Sequence, residues 1–173
     1  MPKLERAAYV CIIGVCVVTV GLRLERRFRP LPAPALVSDA SPAVLNGRRL
    51  EIEGVHWASS GLTAVLFINS HCHFCVDSAP FYREVADMHR RHRNGLTVAA
   101  LSIDAPQLTR DFLSKERVVV DAIYQMSVPV KGLSGTPTLL ILDGHGIVQR
   151  VFTGVLDQTR EQEFLNIIER DSL

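Results

Sequence analysis

His71-Cys72-His73-Phe74-Cys75 carries more potential chemistry than any other stretch of this chain. Two thiols separated by two residues lie one helical turn apart, so Cys75 faces the same side as Cys72 and the two can close a disulfide. The residues before the pair, Thr63-Ala64-Val65-Leu66-Phe67-Ile68-Asn69, form a continuous apolar run suited to a strand buried on both faces. Those after it, from Cys75 to Arg93, have helical spacing, with Ala79, Val85, Ala86 and Met88 among the apolar positions. The pair therefore falls at a strand-to-helix junction. There, unpaired backbone N–H groups and the helix dipole stabilise an anion and should lower the pKa of Cys72. Such a thiolate can attack a substrate disulfide, pass through a mixed disulfide and be released by Cys75. A bare pair has other readings: half a zinc site, a haem attachment or an inert pair. Haem attachment needs histidine at position 76, which is Val76. A four-cysteine zinc site would need Cys11 and Cys16, which sit in an apolar run. His71 or His73 could add a ligand, but sequence neighbours rarely close a tetrahedron. The redox reading needs no metal and no cofactor beyond the Cys72–Cys75 disulfide.

The elements that would position this pair begin near Val44. Arg49 to Glu53 alternates as a half-exposed strand does, and Ser59-Ser60-Gly61 turns the chain. Asn94-Gly95 stops the helix that Pro80 should bend. Leu96 to Ile103 reads as a second buried strand, Gln107 to Lys115 as a short helix and Val118 to Ala122 as a third strand. Thr138 to Leu142 and Ile147 to Thr153 flank Asp143-Gly144-His145-Gly146 as a hairpin. A last helix begins near Thr159 with Gln162 completing a capping box, and Phe164, Leu165 and Ile168 on its buried face. The order β, β, α, β, α, β, β, β, α predicts an α/β fold, a mixed sheet with helices on both sides.

Upstream, Ala7 to Leu22 holds no charge, and Leu4 and Leu24 extend its apolar character, while Arg6 and Arg23 can snorkel. We expect residues 1–6 to be a flank, 7–24 a transmembrane anchor, 25–43 a proline-rich spacer and 44–173 the folded domain. A cleaved signal ending at Ala33-Pro34-Ala35 is the competing reading, made unusual by four arginines between the apolar run and that site. Two Lys/Arg precede the run and four follow, which by charge alone would keep the domain in the cytoplasm. Basic charge is local: residues 1–30 hold six Lys/Arg against two Asp/Glu, the remainder 13 against 16. His89-Arg90-Arg91-His92-Arg93 belongs in the last turn of a helix, where the dipole favours cations, so no nucleic-acid partner is expected.

With these residues in place the chain resembles the thioredoxin superfamily, and within it the membrane-anchored TlpA/ResA-like disulfide reductases of bacteria. The resemblance spans roughly residues 44–170. It rests on Cys72-His73-Phe74-Cys75 after a buried strand, Pro80 five residues beyond Cys75, Gly135-Thr136-Pro137-Thr138 before the hairpin, and Gly154. The segment from Asp104 to Ala122 matches the insertion that separates TlpA-like domains from a minimal thioredoxin. The resemblance implies that Pro137 is cis and beside the pair, leaving the backbone of Thr136 to bind an extended substrate. It also implies protein disulfide substrates, a membrane or thioredoxin-type electron donor, and a domain on the periplasmic side of the cytoplasmic membrane. Two departures stand out: His71 replaces the family's aromatic residue before the first cysteine, and Leu66 replaces a buried acid. His71 and His73 are candidates for tuning Cys72 by positive charge.

Two other activities share this sequence pattern in part. A peroxiredoxin-like thiol peroxidase wants Pro and Thr or Ser where this chain has Val65 and Asn69. A Sco-like copper metallochaperone would use Cys72, Cys75 and a histidine, with His145 as the distal candidate.

Overall fold

The computed structural model describes residues 42–55, 57, 61–91 and 95–171. The expected anchor over 7–24, its flank, the spacer up to residue 41, Cys11, Cys16, Ser59, Ser60 and Asn94 lie outside them. Among the described residues no helix is long and apolar enough to cross a membrane. The chain divides into Met1–Ser38 and Asp39–Leu173, and every described residue belongs to the second unit.

Five strands, β1 (Leu62–Ile68), β2 (Leu96–Ser102), β3 (Ala122–Gln125), β4 (Thr138–Leu142) and β5 (Val148–Thr153), form one sheet in the order β3-β2-β1-β4-β5. β1 pairs in parallel with β2, and β2 with β3, while β4 runs antiparallel to both β1 and β5. Every residue of β1 is buried, as its apolar run predicts for a central strand. The described residues also form four α-helices: α1 (His73–Asp77) and α2 (Ala79–Arg91) after β1, α3 (Pro106–Lys115) after β2, and α4 (Gln158–Asp171) after β5.

The strand period of two divides the core cleanly. Leu62, Ala64, Leu66 and Ile68 of β1 point into one cluster with Tyr82 and Val85 of α2, Phe112 of α3, and Phe164 and Ile168 of α4. Val65 and Phe67 point the other way, against Leu45, Leu50, Ile52, Met126 and Leu133. The α-helices therefore gather on one face, whereas the sequence predicts them on both. The reason is topological: β1, β2 and β3 advance in one direction across the sheet, so right-handed crossovers put α2 and α3 on the same side. A 3-10 helix, Pro42–Leu45, and irregular chain cover the other face. Phe164 meets Phe81 of α2 and Phe152 of β5 edge-on, with centroids 5.6 and 5.3 Å apart, contacts of about 0.5–1.5 kcal/mol each that join α4 to a neighbouring helix and to the sheet.

Four local expectations are corrected. Arg49 to Glu53 forms one isolated bridge, Arg49 to Ile147, because Gly47 and Gly54 take positive φ on either side and turn the chain away. The third strand starts at Ala122 rather than Val118. Arg117 adopts a φ of 57°, the Val118 N–H reaches back to the Leu113 carbonyl, and pairing with β2 resumes only after this helix-closing turn. The long helix after Cys72 is two helices: Ser78 separates α1 from α2, and Ser78 Oγ donates to the Phe74 carbonyl at 2.8 Å. Pro80, without an N–H, falls in the first turn of α2, where that loss costs least. The last helix is capped by Asp157, whose carboxylate accepts the Arg160 N–H at 2.9 Å, and Thr159 lies inside it.

Candidate active site

The carboxyl ends of β1 and β2 meet the amino terminus of α1 and the loop entering β4. Cys72 is the N-cap of α1, with an extended backbone, and is half-buried. Its Sγ donates to the Thr136 carbonyl at 3.4 Å, and the Thr136–Pro137 peptide is cis, as the resemblance implied. Thr138 Oγ1 donates to the Gly135 carbonyl at 2.7 Å, and the Gly154 N–H donates to the Pro137 carbonyl at 2.9 Å, so both sides of this bend are tied down. Gly154 has a φ of +76°, a conformation that glycine supplies without strain.

Both cysteines are free thiols, yet their environments differ sharply. Burial alone would raise Cys72. Hydrogen bonding from the Thr136 side chain and the Cys75 thiol, with the backbone N–H groups of Cys75 and Phe74, overcomes this and holds Cys72 below the ordinary 9.0. Cys75 is fully buried; burial first, then its hydrogen bond to and repulsion from the Cys72 sulfur, push it up to about 12. One sulfur is thus prepared to be a thiolate and the other to hold its proton. Phe74, 58% exposed, places an apolar surface beside the nucleophile, and the position is open to a partner chain.

Both histidines that flank Cys72 in sequence are exposed. His73 is 82% exposed and pairs with Asp77 at 3.3 Å, one turn along the helix surface, and His71 is exposed. The groups that lower the Cys72 pKa are hydrogen-bond partners, Thr136, Cys75 and Phe74. His145 lies at the far end of the sheet. Phe67 is paired with Thr138 and Thr63 with Leu142, so the 143–146 turn is about five strand residues, roughly 16 Å, from the cysteine end. Among the described residues no three His, Cys, Asp or Glu side chains converge as a metal site.

Two residues that the sequence did not single out belong here. Tyr82 is fully buried, one helical stripe on from Cys75 and Ser78, and its hydroxyl lies against both without a hydrogen bond of ordinary geometry. Burial, with repulsion from the Cys75 sulfur, drives its pKa well above the ordinary 10.0. The spacing 75, 78, 82 was the available signal. Asp104, at the end of β2, accepts the Ser70 N–H at 2.6 Å and the Asn69 amide at 3.2 Å.

No family model matches the chain, and no curated protein matches it by sequence. Solved structures do match. A chain from Chlorobium tepidum assigned as the thiol:disulfide interchange protein DsbE aligns with a TM-score of 0.56 at 18% identity, covering 66% of this chain and 82% of that one. A thiol-disulfide isomerase from Corynebacterium glutamicum aligns at 0.54 and 16%, covering 71% and 96%. A second Chlorobium tepidum chain, a thiol:disulfide interchange protein of the thioredoxin family, aligns at 0.51 and 17%, covering 65% and 81%. The fold is therefore thioredoxin-like, a mixed sheet with flanking helices.

Proposed function

We propose that this chain is a membrane-tethered thiol-disulfide oxidoreductase that works as a disulfide reductase, its domain held on the extracytoplasmic side. One observation carries the reading: Cys72 and Cys75 are free thiols held on opposite sides of the ordinary thiol pKa, with the lowered one accessible and beside the cis Thr136–Pro137 bend. The interchange and isomerase names of structures with the same fold support it.

In the forward reaction the Cys72 thiolate attacks one sulfur of a substrate disulfide, forming a mixed disulfide and releasing the other substrate sulfur as a thiolate. Cys75 then gives up its proton and attacks the Cys72 sulfur, forming the Cys72–Cys75 disulfide and releasing the second substrate thiol. Two electrons pass to the substrate, and a dithiol donor of the membrane or thioredoxin type returns them. The apolar run over 7–24 supplies the tether. The extracytoplasmic placement follows the family resemblance against the arginine count, because an inward-facing domain would duplicate soluble thioredoxin.

Insulin-disulfide reduction tests the chemistry. Cys72→Ser should abolish turnover, and Cys75→Ser should trap the substrate as a mixed disulfide; full turnover by Cys72→Ser would remove the nucleophile. A reporter fused after Leu173 that is active only in the cytoplasm would overturn the topology.

A further inference from the structure

We propose that Asp104 is the positioning residue of the reactive loop, its carboxylate holding Asn69 and Ser70 so that Asn69 fixes where both sulfurs stand. The distances form a chain from one group to the next. Asp104 Oδ2 accepts the Ser70 N–H at 2.6 Å, and Oδ1 accepts Asn69 Nδ2 at 3.2 Å. Asn69 then uses its remaining polar atoms on the cysteine segment. Its Oδ1 accepts the His71 N–H at 2.8 Å, its carbonyl accepts the Cys72 N–H at 3.1 Å, and its own N–H is turned toward the Cys75 sulfur. Asp104 is itself anchored, its N–H donating at 3.0 Å to Oγ of Ser102, which is fully buried. The parallel register of Ile68 with Ser102 brings these groups together across 34 residues of sequence.

A carboxylate is suited to this place because it offers only acceptors to two donors. An amide at 104 would satisfy one donor and oppose the other. The Cys72 sulfur depends on this loop, since its stabilisation comes from Thr136 and from N–H groups at the start of α1 whose direction the loop sets. The inference rests on Cys72 as the nucleophile of the proposed reaction.

The test is the pH dependence of Cys72 alkylation by iodoacetamide in the reduced full-length chain, read peptide by peptide in a mass spectrometer. The ionisable groups around Cys72 are Cys75 and Tyr82 from the helices, and His71, His73 and Asp77 at or beside its own segment. Asp104→Asn should move the alkylation midpoint up and slow the reaction at pH 7 about tenfold, because the thiolate is the attacking form and a rise of about one unit removes nine-tenths of it. If Asp104 acted only as a negative charge near the thiolate, its removal would move the midpoint down and overturn the proposal. An unchanged midpoint with faster labelling of buried Cys75 would also overturn it, showing a loosened fold.

The double variant Asn69→Asp/Asp104→Asn restores every bond: the new amide donates to the new carboxylate and still accepts Ser70. Its midpoint should return below that of Asp104→Asn, although a carboxylate now stands nearer Cys72, and failure to return defeats the inference. Should Asp104→Asn not fold, Asn69→Ala keeps the charge and breaks the relay, and must raise the midpoint alike. A chain that shows these shifts but reduces no disulfide would overturn the proposed function while leaving the brace in place.

Discussion

At one end of the sheet Asp104 accepts the Ser70 N–H at 2.6 Å and the Asn69 amide at 3.2 Å; at the other, Asp121 accepts the Val98 N–H at 2.7 Å and faces His89 Nε2 at 3.1 Å. Each carboxylate joins a strand to a neighbouring segment through one backbone donor and one side chain. The bonds of Asp121 lead only to further structure. His89 Nδ1 meets the Leu96 carbonyl at 2.7 Å, so the last turn of α2, the start of β2 and the entry to β3 are closed into one knot. The bonds of Asp104 lead to Cys72, whose sulfur remains open to a partner. The same chemistry yields stability where the network closes on itself and reactivity where it ends on an accessible atom.

The largest difference between the two ends should appear in alkali. Unfolded, Cys75 ionises near 9.0; folded, burial holds it up to about 12. The folded state binds that proton more tightly, so the stability it gives is complete below pH 9 and is lost as pH rises from 9 toward 12. Tyr82, raised chiefly by burial, acts in the same sense above its ordinary 10.0. Cys72, lowered, acts oppositely: its contribution is present above 9 and lost as pH falls through its folded value. Urea midpoints of the reduced chain should therefore fall steeply above pH 9, and much less steeply for Cys75→Ala. Parallel curves for the two proteins would remove Cys75 as the source.

A smaller effect is expected at the closed end. Asp121→Ala strips the acceptor from the Val98 N–H and from His89 and should cost about 2 kcal/mol in denaturant unfolding. The alkylation midpoint of Cys72 should stay where it is; a shift like that of Asp104→Asn would erase the distinction between the ends. Smallest of all is Tyr82→Phe, which deletes a buried hydroxyl that has no well-formed bond, and should change stability by less than about 1 kcal/mol. A greater loss would show that the hydroxyl is bonded to Cys75 or Ser78.

Much of this arrangement can be read in the chain before any coordinates. β1, β2 and β4 lie where their apolar runs put them, within a residue or two at each end, because strands buried on both faces leave a continuous signal, while β5, half-exposed, is placed by the turn that joins it to β4. The placing of Cys72 and Cys75 at a strand-to-helix junction is legible because local spacing decides it, whereas the cis Thr136–Pro137 peptide beside them is implied in the sequence only by the family resemblance. β3 is displaced because Val118, Val119 and Val120 have strand-favouring side chains but follow the left-handed turn at Arg117, which no local propensity announces. Asp104 reads in sequence only as the approach to a helix. Its partners lie 34 and 35 residues away, and only the register of two parallel strands brings them within reach. The helix crossovers cannot be assigned to one face from the sequence because strand order, which decides the matter, is not written in hydrophobic periodicity.

The carbonyl of Thr136 serves the protein's own thiol in this reduced state. A thiol can donate to that oxygen and a thiolate cannot, so loss of a single proton ends this bond and frees a lone pair of the carbonyl. Under the proposed function, the same event would ready the sulfur and open a pairing position for an extended substrate.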